Sequence, residues 1–186
     1  AKLSFDEIIE PLSPTDPRLV GFFGLVALIP LLPNSVLSSY YVGLLALMFV
    51  WAIFALSLDI VLGYMGLLSF GHAIFYGLGS YATALTAIHL TNSFVLALVV
   101  AVVINAVVAW LVGALSVRLS GVYFAIITLA IGQLFHRLSI SLGDITGGSD
   151  GMAFPAMTLL GIDLSQPIPF FYLSFLLMIG IYVATV

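Results

Sequence analysis

The sequence predicts an all-α integral membrane protein: a polytopic helical bundle of about six spans, with one glycine-rich interrupted helix. Three observations carry this. Of 186 residues, 63% are hydrophobic and 6% charged, where an ordinary soluble domain carries about a quarter charged residues. Mean hydropathy is +1.30. The apolar residues also fall into runs that approach the roughly 20 residues a helix needs to cross about 30 Å of hydrocarbon. Four Lys/Arg and eight Asp/Glu cannot hydrate a globule of this size, so lipid must solvate most of the chain.

The same counts exclude several classes of function. A net charge of −4 with Lys2 as the single lysine leaves no means of gripping a nucleic-acid backbone. Without Cys there is no disulfide, thiol nucleophile or thiolate metal site. No lysine stands where a Walker-type phosphate loop requires one. The three histidines, His72, His89 and His136, lack the helical spacing of a metal hydrolase. Facing histidines could hold haem, but only their number favours it. No metal, no cofactor and no catalytic residue is expected.

Residues 1–18 read as a polar leader. Ser4, Glu7, Leu3 and Ile8 suit a capping box and hydrophobic staple over 3–10, ended by Pro11, Pro14 and Pro17. The membrane domain then runs over 19–186. Its first apolar run, 19–32, is about 14 residues or roughly 21 Å, a short span weakened by Pro30 and Pro33. Residues 40–62 are long enough to cross, with Tyr40 and Tyr41 placed for the headgroups and Asp59 as the one charge.

The interrupted helix is expected next. Residues 63–81, GYMGLLSFGHAIFYGLGSY, carry glycines at 63, 66, 71, 77 and 79, which lower helix propensity sharply. Broken backbone is tolerated in a membrane only where protein or a water-filled cavity satisfies it. Gly63, Gly66, Ser69, Gly71, His72 and Gly77 are therefore the candidates for a pathway or gate. The helix is expected to resume to about Leu90.

A further span is expected over 93–116. Along it Ala101, Asn105, Ala109 and Gly113 form a small-residue stripe for close helix packing, with Asn105 able to hydrogen-bond across. Residues 117–121 make a tight connection, and 122–142 cross again. On that span Gln133, Arg137 and Ser141 recur at i, i+4 and i+8, a polar stripe that suits a partner helix or a pathway. The connection 143–169 is rich in turn formers, with a small strand pair expected around Gly161. Residues 170–186 open another apolar segment. Its lack of a polar exit, with Ala as the first residue, gives the expectation of a fragment truncated at its C-terminal end.

Orientation rests on Lys2, Arg18 and Arg118, which fall on one side when the spans are counted. The positive-inside rule makes that side cytoplasmic. The N-terminus and 63–72 are then inside, and 143–169 outside. Intramembrane charges are costly, so Asp59 and Arg137 join Asn105 and Gln133 as intramembrane polar candidates. For Asp59, a structural pair with Arg118 competes with a role in the pathway.

The stretch 55–81, ALSLDIVLGYMGLLSFGHAIFYGLGSY, strongly resembles LivM-type permeases, the membrane subunits of ABC importers for branched-chain amino acids. Three further pieces fit in order: RLSGVYFAIITLA at 118–130, the TGGSDG of 142–151, and 159–164 with the aromatics Phe170–Tyr172. The resemblance covers roughly 19–186. It implies a non-enzymatic permease in the bacterial inner membrane that carries leucine, isoleucine or valine. It also implies a second, LivH-like permease, two cytoplasmic ATPase subunits, and an extracytoplasmic binding protein, for which Gly147, Gly148, Ser149 and Asp150 are candidate facing residues. Asp59 departs from the frequent Asn of this pattern and also occurs in related urea-importer permeases, so a urea or short-chain amide importer is the alternative. A proton-coupled secondary transporter using Asp59 or His72 is the reading from another class. No cytoplasmic loop long enough to dock ATPases is found, so that surface is expected beyond Val186.

Overall fold

The computed structural model describes residues 17–31, 38–116 and 121–185. The leader with its capped helix, Lys2 and the Arg118 connection lie outside the described residues, as does any Asp59–Arg118 pair. The chain divides into two units, 1–56 with 166–186, and 57–165.

The first unit holds α1 (Pro17–Leu28), which tightens into a 3-10 turn at Ile29–Leu31, the first part of α2 (Ser39–Met65), and α7 (Pro167–Thr185). Lipid is as apolar as leucine, so helices gain little by hiding aliphatic surface from it and associate through close packing. Aromatic rings supply that packing. Phe171 is fully buried among Val42, Ala46 and Phe49, with ring centroids 5.3 Å from Phe49 and 6.0 Å from Phe175. The Tyr172 hydroxyl donates to the Ala27 carbonyl at 3.3 Å. Tyr40 and Tyr41 stand exposed at the start of α2, where an interfacial belt would place them.

The second unit contains the end of α2, an irregular segment at 66–72, α3 (Ala73–His89), α4 (Phe94–Ser116), α5 (Val122–Ser141), the single turn α6 (Gly143–Thr146), and the strands β1 (Thr158–Leu159) and β2 (Ile162–Asp163). Small residues bring α3 and α4 together: Ala82, Ala84 and Ala87 on one, Ala97 and Ala101 on the other, are all buried. Ala87 packs with Ala97, and an added Cβ at Gly79 would sit 3.2 Å from the Asn105 amide nitrogen. Those two pairings run in opposite chain directions, so the helices are antiparallel.

The small-residue stripe is thus real but turned. Ala97, Ala101 and Asn105 face α3, whereas Ala109 is exposed and Gly113 has no neighbour within 4 Å of an added Cβ. Asn105 Nδ2 donates to the Ala101 carbonyl of its own helix at 3.0 Å, facing Gly79 of α3, while its buried Oδ1 has no hydrogen-bond partner among the described residues.

Among the described residues, four helices are long and apolar enough to cross a membrane: Ser39–Met65, Phe94–Ala114, Val122–Ser141 and Pro167–Thr185. The other two of the six expected spans are shorter, α1 with 12 residues and α3 with 17. The chain is a multi-pass, all-α membrane protein.

The strands pair antiparallel as Thr158↔Asp163 and Leu159↔Ile162. Leu160 and Gly161 form the turn at φ +51° and +87°, the two positive angles of a type I′ hairpin. Ser165 N–H donates to Asp163 Oδ1 at 2.8 Å, holding that exposed carboxyl below its ordinary pKa. Thr158 N–H donates to the Asn92 carbonyl at 2.8 Å, and Ser93 bridges Thr158, so the α3–α4 connection and the 151–165 connection meet.

Candidate functional site: a broken helix and its cleft

The irregular segment begins where Gly66 N–H reaches back to the Leu62 carbonyl at 3.0 Å and Gly66 takes φ +64°. That left-handed residue ends a helix at no steric cost only when it is glycine. Residues 67–72 run without regular hydrogen bonding until α3 starts at Ala73, where Ile74 and Phe75 N–H bond the Gly71 and His72 carbonyls at 3.0 and 3.2 Å.

Two anchors hold this segment. His72 Nε2 and Ser57 Oγ, on α2, share a hydrogen bond of 2.7 Å. Thr128 Oγ1, buried on α5, accepts the Phe70 N–H at 3.2 Å while donating to the Ala125 carbonyl at 3.0 Å. The freed Phe70 N–H is thereby satisfied by protein, as a lipid environment demands. The approach is tight. An added Cβ at Gly71 would collide with the Thr128 carbonyl oxygen, and one at Gly132 would meet the Gly71 Cα at 3.5 Å. Thr128 and Gly132 lie six and ten residues into α5, about 9 and 15 Å along its axis at 1.5 Å per residue. The break therefore docks a third to a half of the way along a span. This accounts for the shortness of α3, which starts at that depth.

Between the break, α3 and α5 lies a cleft of about 530 Å³. Phe70, Gly71, Ile74, Gly77, Leu78 and Tyr81 form one wall, and Leu129, Gly132, Gln133, Phe135, His136 and Ser139 the other. The lining carries no Asp, Glu, Lys or Arg.

Gly71, Gly77 and Gln133, three of the residues singled out from sequence, come together here. The others do not line it. Gly63 sits in the regular interior of α2 with open space beside it. Gly66 ends α2, Ser69 lies within the break, and His72 faces Ser57. Asp59 and Arg137 are exposed on α2 and α5, outside the lining, and Asn105 packs against α3. Tyr81, His136, Ser139 and Thr128 were not singled out as parts of one site. On α5 the signal was present as Gly132, His136 and Ser139, an i, i+4, i+7 face beside Gln133 that the Gln133–Arg137–Ser141 stripe misses by one helix position.

The TGGSDG turn is a separate, self-contained arrangement. Thr146 Oγ1 is within bonding distance of the Ser139 and Leu142 carbonyls at 2.5 and 2.9 Å, and receives Gly148 N–H at 3.3 Å. Gly147, Gly148 and Gly151 all have positive φ. An added Cβ at Gly147 would collide with the Gly151 carbonyl. Ser149 and Asp150 are exposed, with Ser149 Oγ donating to Asp150 Oδ1 at 3.3 Å. Among the described residues no group of three His, Cys, Asp or Glu could hold a metal ion.

A broken helix pinned at depth, beside an uncharged cleft within multiple spans, defines the class as a polytopic transport-type membrane protein. Residues 40–186 match the family model described as "Branched-chain amino acid transport system / permease component", and the chain belongs to that family. It is similar to the high-affinity branched-chain amino acid transport system permease protein LivM of Salmonella typhimurium strain LT2, 35% identical over 118 residues, covering 63% of this chain and 28% of that protein. Against LivM of Escherichia coli strain K12 it is 34% identical over 126 residues, 67% of this chain and 30% of the relative. The chain thus spans less than a third of the length of the curated relatives it matches. No solved structure matches it.

Proposed function

We propose that the chain forms part of the translocation pathway of an ABC importer for branched-chain amino acids, with the cleft beside the broken helix as a station on that route. The observation that carries this is the cleft itself: an uncharged, largely apolar cavity with a few polar groups, built around interrupted backbone, in a chain of this permease family. An amino acid crosses as a zwitterion, so its route needs polar groups without strong net charge. ATP hydrolysis belongs to two cytoplasmic partner subunits, affinity to an extracytoplasmic binding protein, and the rest of the pathway to a second, LivH-like permease. The protein sits in the bacterial inner membrane with its N-terminus inside. The meeting of Ser93 with Thr158 supports one part of that topology, that both connections lie on the same side.

Uptake of labelled leucine should require ATP, a binding protein and this chain together, and excess urea should not compete. Urea uptake without leucine uptake would overturn the substrate, and uptake without ATP would overturn the importer class. A cysteine at Ser149 should react with an impermeant maleimide from outside the cell. Reaction only after the membrane is opened would invert the topology.

A further inference from the structure

The cleft glycines serve different ends. Gly71 is held by contact, since a Cβ there meets the Thr128 backbone. Gly77 has neither reason to be glycine: its φ is not positive, and nothing lies within 4 Å of an added Cβ. It stands inside α3, where glycine lowers helix propensity, and it lines the cleft. What its missing side chain leaves is space in the cavity.

The cavity is also polarised along its length. Phe70, Ile74 and Leu129 lie at the end near the break. Tyr81 and Ser139 lie further along α3 and α5, ten and seven residues past Gly71 and Gly132, or about 15 and 10 Å. His136 lies beside Ser139, and Gln133 between the two ends. These groups offer donors for a carboxylate and acceptors for an ammonium without a net charge. Ser139 Oγ, donating to the His136 carbonyl at 2.8 Å, keeps its lone pairs for an incoming donor.

We propose that the cleft binds one zwitterionic aliphatic amino acid, its charged head toward Tyr81, His136 and Ser139 and its tail toward the break, and that Gly77 sets the length of tail admitted. This rests on the function proposed above. The test uses the whole importer, reconstituted with ATP on the ATPase side and saturated with loaded binding protein, so that uptake reflects passage through the permease. Labelled leucine and valine are compared. One methylene in an apolar pocket is worth about tenfold or more in discrimination, so Gly77→Val should lower the leucine-to-valine uptake ratio by about tenfold, and the smaller Gly77→Ala by about threefold. Gln133→Met, between the two ends, should lower both substrates alike. A constant ratio in Gly77→Ala, with the complex assembled at the wild-type level, overturns the role of Gly77 even if Gly77→Val fails to assemble. A wild-type importer that carries neither leucine nor valine overturns the function itself, and the two failures are distinguishable in one experiment.

Discussion

Two glycine-rich segments of the second unit solve the same problem with different means. Both the break at 66–72 and the turn at 146–151 expose backbone polar groups, and both are organised by a buried threonine. In the turn the threonine is local: Thr146 ties together residues from 139 to 148. In the break it comes from 58 positions away, Thr128 receiving the Phe70 N–H. Local closure costs little chain entropy, whereas a distant partner must first be brought into place by helix packing. The turn is therefore a unit of its own sequence, and the break exists only as long as α5 lies beside it.

The largest effects should follow from that dependence. Gly71→Val forces a branched side chain into the Thr128 backbone, and overpacking of this kind costs about 1–3 kcal/mol or more. It should lower the yield of detergent-stable permease severely. Gly147→Val meets an equally hard obstacle in the Gly151 carbonyl, and its left-handed φ adds about 1–2 kcal/mol. Its damage should stay in the connection, seen as faster proteolysis there with the spans intact. Equal loss of permease in both variants would erase the distinction between the two segments.

Next come the threonines. Thr128→Val removes the acceptor of the part-buried Phe70 N–H and leaves it unpaired in the break, which costs about 1–3 kcal/mol. Thr128→Ser should restore most of that. Thr146 is also buried, but its partners all lie within the short stretch 139–148 and can readjust locally, so Thr146→Val should cost about 1 kcal/mol or less. Thermal unfolding of the purified permease measures both, and a larger loss from Thr146 would reverse the ranking.

The contrast also explains what could be read in advance. The span at 40–62 was legible because length and hydropathy alone define a crossing helix, and the structure extends it only to Ser39–Met65. The break was legible from glycine density, but density overstated its reach: Gly63, Gly77 and Gly79 lie in regular helix. What decides is the partner of each glycine, Thr128 for Gly71 and Asn105 for Gly79, and a long-range partner leaves no local pattern. The cleft was illegible for the same reason. Gln133 stood out because it is polar in a span, whereas Tyr81, His136 and Ser139 share a site only through the way α3 lies on α5.

The smallest effect belongs to the hairpin, where the local rule is broken without a partner in view. Leu160 takes φ +51° and is 92% exposed, so it bears the left-handed strain of an L-residue and gains no burial. Type I′ turns favour Asn-Gly at these two positions. Leu160→Asn should then stabilise the hairpin by roughly 0.5–1 kcal/mol, about half the strain of about 1–2 kcal/mol that a left-handed L-residue bears. Slower hydrogen exchange at Leu164 N–H, which bonds the Met157 carbonyl at 2.9 Å across the hairpin, is the measurement. The same turn in the proposed importer sharpens it: if Leu160→Asn slows exchange in the isolated permease but weakens the complex with the proposed binding protein, the strain is kept for a contact outside this chain.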